Sequence, residues 1–196
     1  IGVLVLSSLA GYGFARTEFP GRRWLYAVVL FGLAVPSQAI FIPLHRLVSG
    51  MDLQNTYAGL ILPGLAAPFG VYLMTQYFKA SPAELEEAEL LDNASRLKTF
   101  WKVGLPLTLP AQATLGIFTF LAAWNDYLWP LVIATNPDMY TLTRGLASTQ
   151  TNFAQSEGLG FLMSQAVFAG LPVLVVYCFF QKHLVAAVAG TGRRGA

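Results

Sequence analysis

Residues Ser81–Pro110 read S-P-A-E-L-E-E-A-E-L-L-D-N-A-S-R-L-K-T-F-W-K-V-G-L-P-L-T-L-P and form the one long charged stretch of an apolar chain. This charged segment holds five acidic and three basic side chains: Glu84, Glu86, Glu87, Glu89, Asp92, Arg96, Lys98 and Lys102. Apolar runs of roughly the length of a membrane span stand on both sides of it. A polar segment between two such runs is where a membrane protein meets water and soluble partners. The charged segment is therefore the first candidate for a functional surface.

The first half of the charged segment has the sequence of a short amphipathic helix. Ser81 is a predicted N-cap, Pro82 suits the first helical position, and Glu84 completes a capping box three residues after the cap. Acidic residues in the first turns are favoured by the helix dipole. A narrow apolar stripe at three-residue spacing runs between the acids and consists of Leu85, Ala88 and Leu91.

The second half predicts a sharp turn followed by another short helix. Asn93 is the predicted turn residue, because asparagine accepts a positive φ more readily than most side chains. The second helix is predicted over Ala94–Val103 and should end before Pro106, since the residue before a proline avoids helical geometry. The charged segment thus predicts two short helices joined by a tight turn on a membrane face. An ordinary solvated loop is the alternative.

The composition of the whole chain indicates a membrane protein. Of its 196 residues, 55% are hydrophobic and 11% are charged, and the mean hydropathy is +0.55. A soluble domain carries about 25% charged residues, so these residues cannot cover a globule with polar groups. The net charge of +2 is too small to indicate nucleic-acid binding.

Five apolar runs predict an all-α, polytopic bundle of transmembrane helices, in one domain that spans residues 1–196: Ile1–Ala15, Trp24–Leu44, Tyr57–Phe78, Ala111–Ala134 and Leu159–Phe180. The first is shorter than the roughly 20 residues that a span needs. Because the chain opens with Ile1 inside an apolar run, we interpret it as incomplete at the N-terminus and expect six spans in the full protein. Prolines inside or near the other four runs predict kinks, which membrane bundles tolerate around a pathway.

The distribution of basic residues predicts the orientation. The stretch 16–23 holds three basic residues, 79–102 holds four and 182–196 holds three, whereas the other side holds only Arg46 and Arg144. The positive-inside rule therefore places the charged segment and the C-terminus in the cytoplasm. The polar stretch Asn136–Gly158 then faces outward, either as short interfacial helices for an extracytoplasmic partner or as a plain connection.

The sequence lacks the motifs of the common catalytic and metal sites. There is no H-E-x-x-H, no G-x-S-x-G and no phosphate-binding P-loop. The two histidines, His45 and His183, fall on opposite membrane faces by the orientation above. We therefore expect no catalytic residue, no metal site and no bound cofactor in this chain.

Asp126 is the one acidic residue inside a predicted span, and an intramembrane ionisable residue is by default a functional candidate. With Trp124 and Asn125 it forms a candidate pathway lining. The alternative is an interfacial belt, because Trp124, Tyr127 and Trp129 surround the aspartate and aromatic rings concentrate at membrane surfaces.

Two motifs together resemble a known family. The first is carried by Glu87, Ala88, Asp92, Asn93, Ala94, Phe100, Leu105, Pro106, Leu107 and Pro110. It resembles the EAA signature of binding-protein-dependent ABC importer permeases, which reads E-A-A, two residues, D-G-A, then F and P-L-x-x-P. Glu89 departs from the usual alanine and Asn93 from the usual glycine. The second motif, W-N-D-Y-L-W-P-L over 124–131 followed by Y-T-L over 140–142, resembles the carbohydrate, maltose-type branch.

The resemblance implies a mechanical role for the charged segment, as a coupling helix that docks into a cleft of a cytoplasmic ATPase. Glu87 would pair with a basic residue of the ATPase, and Ala88 and Ala94 would allow close approach. Asp92 and Asn93 would form the turn of the motif. Phe100 and Pro106 would anchor the loop to the bundle.

The implied assembly is a sugar importer in a bacterial or archaeal cell membrane. Its other parts would be a pair of ATP-binding subunits that hydrolyse ATP, a second and different permease subunit, and an extracytoplasmic solute-binding protein. Two alternatives remain at this stage. One is the same machine for another solute, such as a polyamine, phosphate or an amino acid. The other is a secondary transporter or a membrane-embedded enzyme.

Overall fold

The structure is a computed structural model that describes residues 1–91, 93–153 and 159–189. Within these residues the chain is helical and contains no strand, which confirms the all-α prediction. The helices before the charged segment are α1 (Gly2–Arg16), α2 (Arg22–Ala34), α3 (Ser37–Gly50), α4 (Tyr57–Leu65) and α5 (Pro68–Ala80).

The charged segment contains three short helices and a π-helical turn: α6 (Glu84–Leu91), α7 (Arg96–Thr99), the π turn (Phe100–Gly104) and α8 (Leu105–Leu107). The chain continues through α9 (Leu109–Asn125), α10 (Leu128–Ile133), a 3-10 turn (Pro137–Met139), α11 (Leu142–Phe153) and α12 (Leu159–Ala189).

The predicted spans are interrupted more often than the apolar runs suggested. Among the described residues, one helix is long and apolar enough to cross a membrane by itself, through Met163–Phe180 of α12. Up to four spans result when each of three bent helix pairs counts as one: α2 with α3, α4 with α5, and 96–107 with α9. The 15-residue α1 is shorter than a span, as the sequence predicted.

The kinks that the prolines predicted occur in two of the predicted spans. Trp24–Leu44 is divided between α2 and α3, with Pro36 in the break, and Tyr57–Phe78 is bent by 42° where Pro68 begins α5. Proline lacks the N–H that continues a helix and clashes with the preceding turn. The predicted span Ala111–Ala134 is wrong as a single helix, since α9 ends at Asn125 and α10 begins at Leu128.

The described residues divide into two compact units along the chain. The first unit combines Ile1–Pro36 with Gly64–Gly116 and therefore contains the charged segment. The second combines Ser37–Pro63 with Ile117–Ala196 and contains the W-N-D motif.

In the first unit, α1 and α5 pack closely through small residues. A Cβ atom added at Gly11 would lie 2.6 Å from the Met74 Cβ and 2.9 Å from the Thr75 nitrogen, and one added at Gly70 would meet the Ser7 side chain. Small residues bring helix backbones together in membranes, where dispersion contacts replace the hydrophobic driving force. The two helices therefore form a tight pair.

An aromatic cluster joins this helix pair to the charged segment. Tyr12 of α1 meets Phe78 of α5 edge-on, with ring centroids 5.3 Å apart, and meets Phe100 of the π turn at 5.1 Å. Phe78 and Phe100 are fully buried, and Ala111 and Leu115 of α9 complete the cluster. Edge-to-face arrangements are favoured by the ring quadrupoles. The π turn is therefore anchored in the core of the first unit.

In the second unit, Asn55 joins the chain before α4 to the chain after α10. Its backbone N–H donates to the Ile133 carbonyl at 2.9 Å, and its Nδ2 donates to Thr135 Oγ1 at 2.8 Å. Its Oδ1 accepts from the Asn136 N–H at 2.7 Å. The residue has a φ of 55°, in the left-handed region that asparagine tolerates.

Two substitutions of Asn55 should separate the contribution of its side-chain hydrogen bonds to stability from the cost of its positive φ. Asn55→Gly keeps the φ and removes two side-chain hydrogen bonds, so we expect a loss of about 2 kcal/mol in the free energy of unfolding. Asn55→Ala also places a β-carbon at positive φ and should be less stable by roughly a further 1 kcal/mol. Thermal unfolding of both variants in detergent measures the difference, and equal midpoints would contradict the strain argument.

Candidate functional site

The start of the charged segment differs from the predicted capping box. Ser81 ends α5 instead of beginning the next helix: its N–H donates to the Tyr77 carbonyl at 3.0 Å, and its Oγ donates to the same oxygen at 2.9 Å. The side chain that would have capped a new helix is therefore already bonded to the preceding one. α6 begins at Glu84, and the N–H groups of Glu86 and Glu87 donate to the Ala83 carbonyl.

The apolar stripe of α6 points away from the protein. Leu85 is 51% exposed and Leu91 is 84% exposed, and Ala88 between them is exposed as well. Glu87 lies beside this stripe and is also exposed. Large exposed apolar side chains grouped on one helix are typical of a surface that a partner covers.

Glu86 faces the opposite way and is buried. Its side chain is 5% exposed, and its Oε1 accepts from Arg16 Nε at 3.0 Å. Of the glutamates in α6, Glu84 and Glu87 are exposed, so Glu86 is the exception. The partner comes from α1, 70 residues earlier, so no local spacing indicated the pair.

The predicted turn forms at Asn93, which has a φ of 59°. Asp92, the residue before it in the motif, lies outside the described residues. The Ala94 N–H donates to the Glu89 carbonyl at 3.1 Å, and the Ala94 side chain is buried. Ser95 then caps α7 by accepting from the Lys98 N–H at 3.3 Å.

Asn93 variants should reveal how much the left-handed turn contributes to stability. We expect Asn93→Gly to leave the unfolding midpoint unchanged or to raise it, because glycine adopts positive φ without a β-carbon. Asn93→Val should cost about 1–2 kcal/mol, because a branched side chain is strained in this conformation. Thermal unfolding of both variants tests the turn, and a Val variant as stable as the Gly variant would contradict the assigned conformation.

The second predicted helix is longer and less regular than the sequence suggested. Helical geometry continues through α7, the π turn and α8, so the predicted end before Pro106 is wrong. Pro106 stands in the first turn of α8, where its missing N–H is tolerated. Pro106 is exposed, and its anchoring role stays a prediction. Phe100 is the anchor, at 2% exposed, and Leu105 packs partly buried against the same cluster.

The W-N-D motif lies at the break between α9 and α10. Trp124 Nε1 donates to the Ala169 carbonyl at 3.1 Å, and exposed Asn125 donates from Nδ2 to the Leu121 carbonyl at 2.8 Å. Asp126 Oδ1 accepts from the Trp129 N–H at 3.4 Å. These bonds give Trp124 and Asp126 structural partners within the second unit. A pathway role for the three residues stays a prediction.

The Y-T-L motif lines a cleft of about 660 Å³ in the second unit. Its wall is mostly apolar, with polar groups from Thr141, Ser164 and Gln165, and is formed by Tyr140, Thr141, Leu142, Gly145, Leu146, Ser164, Gln165 and Phe168. The Arg144 guanidinium lies over the Tyr140 ring, 4.5 Å from its centroid, in a cation–π contact. The Y-T-L motif is identifiable in the sequence only through its resemblance to the carbohydrate branch of the family, and the sequence did not predict this cleft.

Metal-ligating side chains do not gather in the part of the chain that the structure describes. No group of three histidine, cysteine, aspartate or glutamate residues is close enough there to hold an ion. The side chain of His183 lies outside this description.

Nearly the whole chain matches one protein family. Residues 4–190 match the family described as the binding-protein-dependent transport system inner membrane component. The chain belongs to this family. Its members are transport permeases and not catalytic subunits, and they work with an ATPase and a solute-binding protein.

Relatives of this permease import saccharides. The arabinooligosaccharides transport system permease protein of Halalkalibacterium halodurans is 34% identical over 192 residues, which are 98% of this chain and 68% of that protein. The diacetylchitobiose uptake system permease protein of Streptomyces coelicolor is 37% identical over 194 residues, 97% of this chain and 64% of that protein. The permease chain thus spans about two thirds of the length of these relatives.

A solved transporter shares the fold. The crystal structure of a bacterial ABC transporter involved in the import of the acidic polysaccharide alginate contains a chain with a TM-score of 0.79 and 25% sequence identity. The match covers 92% of this permease and 68% of that chain. The broken helices described above therefore belong to the architecture of a multi-pass membrane permease.

Proposed function

We propose that this permease carries a sugar or oligosaccharide as one subunit of an ATP-driven importer, and that Ser81–Pro110 couples closure of the ATPase to alternating access. The observation that carries the proposal is the division of α6 into two faces. One face, with Leu85, Ala88 and Leu91, is exposed at the surface of the protein. The other holds Glu86 in a buried contact with α1.

The exposed face of α6 suits insertion into a cleft of another protein. Ala88 lies between two leucines and lets a partner approach the helix backbone closely. Glu87 supplies an exposed negative charge beside the apolar stripe and can set the register against a basic residue. The acids of the first turn keep the segment soluble until the partner docks. A face of this kind would transmit force from a docked ATPase.

The saccharide substrate is supported by two independent features. The relatives named above take up arabinooligosaccharides and diacetylchitobiose, and a further relative from Rhizobium radiobacter is a lactose transport system permease protein. The cleft at Tyr140 and Thr141 combines rings that can stack on a sugar face with groups that can hydrogen-bond its hydroxyls. Sugar-binding sites need both kinds of contact. The importer of another solute is the less supported alternative.

The remaining parts of the assembly follow from the same proposal. A cytoplasmic pair of ATP-binding subunits hydrolyses ATP, and this chain binds no cofactor itself. A second, different permease subunit completes the pathway, and an extracytoplasmic solute-binding protein delivers the sugar. The excess of basic residues at 16–23, 79–102 and 182–196 orients the charged segment and the C-terminus toward the cytoplasm.

Site-specific cross-linking tests the coupling role. The full-length permease is expressed with its candidate ATPase on a background in which native cysteines, including Cys178, are replaced. Ala88→Cys is expected to cross-link to the ATPase, with a yield that changes on addition of ATP. The matched control is Asp138→Cys, an exposed position in the 3-10 turn on the predicted outer side, which should give no cross-link.

Two outcomes decide the proposal. A nucleotide-dependent cross-link from position 88, with none from position 138, supports docking of α6 and makes uptake of a panel of radiolabelled oligosaccharides the next measurement. A thiol at position 88 that reacts with soluble maleimide yet captures no ATPase would remove the coupling role.

A further inference from the structure

Arg16, the last residue of α1, contacts three separate parts of the charged segment. Its Nε donates to Glu86 Oε1 in α6 at 3.0 Å, and its Nη2 donates to the Ser81 carbonyl at 2.8 Å. Its own carbonyl accepts from Arg96 Nη1 in α7 at 3.1 Å. One residue therefore joins the end of α1 to the end of α5, to α6 and to α7.

The Arg16–Glu86 pair is largely shielded from water. The two side chains are 16% and 5% exposed. A buried ion pair contributes little net stability, because desolvation of the charges offsets their attraction, but loss of one partner leaves an uncompensated charge. The planar guanidinium also serves a carboxylate and a carbonyl at once, which a lysine ammonium does not do with the same geometry. The contact is thus better suited to setting the position of α6 than to stabilising the fold.

The helix to which Arg16 belongs is itself rigidly held. α1 packs against α5 through Gly11 and Gly70, with no room for a β-carbon at either glycine. Tyr12, one turn before Arg16, packs against Phe100 of the π turn. If α6 is displaced, its contact with Arg16 would therefore move α1 together with α5, because these two helices are closely packed.

We propose that Arg16 is a positioning residue for coupling. It fixes α6 to the end of α1, so that α6, α1 and α5 move as one body when a docked partner displaces α6. The identity of that partner rests on the proposed function above. The mechanical connection itself concerns only residues of this chain, so it can be tested separately.

Distance measurements between spin labels test the connection directly. Nitroxide labels are attached at Leu9 of α1 and Glu84 of α6, both exposed, on a background with native cysteines replaced. The full-length transporter, with its partner permease and ATPase, is reconstituted in lipid. The distance distribution is measured by double electron–electron resonance without nucleotide and after trapping with ADP and vanadate. We expect one narrow distribution that is the same in both states.

Three variants and one control complete the experiment. Arg16→Met removes both side-chain contacts, to Glu86 and to the Ser81 carbonyl. Arg16→Lys retains the positive charge but lacks the planar guanidinium that serves both acceptors at once. Arg16→Met with Glu86→Met removes the pair without leaving a buried charge, so it keeps the test decisive if the single variant fails to fold. Arg22→Met is the matched control, because Arg22 is the next basic residue along the chain and its side chain donates to the Thr17 carbonyl.

The expected result is a broadened distribution that shifts between nucleotide states in Arg16→Met and in the double variant, a smaller effect in Arg16→Lys, and none in Arg22→Met. An unchanged narrow distribution in Arg16→Met or in the double variant would overturn the proposal. A native transporter in which the distance itself changes with nucleotide would do the same. If the ATPase fails to assemble with the native permease, the proposed function fails, while label distances in the permease alone still report the Arg16 connection.

Discussion

Glu87→Lys is expected to abolish ATP-driven transport while the permease stays folded and in the membrane. Glu87 is exposed and makes no ion pair within the described residues, so its replacement leaves no buried charge unpaired. At the proposed interface the new lysine would face a basic residue of the ATPase. A like-charge contact costs several kcal/mol, and a penalty of about 3 kcal/mol weakens binding roughly 100-fold.

Co-purification of the ATPase with the permease and uptake in proteoliposomes measure this effect. Glu18→Lys is the matched control, because it makes the same charge reversal at an exposed acid in the basic loop after α1, outside the charged segment. The control should retain both the ATPase and uptake. Normal uptake by Glu87→Lys would argue against the docking role of α6. Loss of membrane insertion in Glu87→Lys would instead contradict the surface position of the side chain.

Gly11→Ala should give the largest loss of stability of any single methyl addition in α1. The added Cβ would lie 2.6 Å from the Met74 Cβ and 2.9 Å from the Thr75 backbone nitrogen, and backbone atoms cannot move aside as the end of a side chain can. Overpacking of this kind costs about 1–3 kcal/mol. The separation of α1 from α5 should also loosen the contact between α1 and α6, so coupling should weaken with stability.

Gly13 supplies a matched control two residues away in the same helix. A Cβ at Gly13 meets nothing within 4 Å, so Gly13→Ala should be neutral or stabilising through the better helix propensity of alanine. Thermal unfolding in detergent and the temperature dependence of uptake compare the two variants. Equal midpoints for Gly11→Ala and Gly13→Ala would contradict the close approach of α1 and α5.

Features that depend on neighbouring residues were predictable in the charged segment. The turn at Asn93 follows from the conformational freedom of one side chain, and the structure places that residue at a φ of 59°. The apolar stripe of α6 follows from three-residue spacing, and the helix forms with that stripe on one face. The predicted capping box does not form although Ser81 and Glu84 are only three residues apart, because the Ser81 hydroxyl donates to a carbonyl at the end of the preceding helix.

Positions that depend on distant residues were not predictable. The resemblance implied the same anchoring role for Phe100 and Pro106, but the sequence did not show that Phe100 is buried in the core while Pro106 is exposed. The four glutamates and three leucines of α6 gave no sign that Glu86 is buried. The prolines correctly predicted kinks near Pro36 and Pro68, whereas the break between α9 and α10 at Asp126 contains no proline.

The sequence by itself determined the class of the protein, the helical character of the chain and the location of the surface-exposed segment. Composition and periodicity decide these properties, because the partition of apolar groups and local backbone preferences act residue by residue. Only the tertiary structure decided which face of α6 is free and which is held, through the contact of Glu86 with Arg16. That choice depends on the desolvation and pairing of two charges that lie 70 residues apart, a balance that no local pattern encodes.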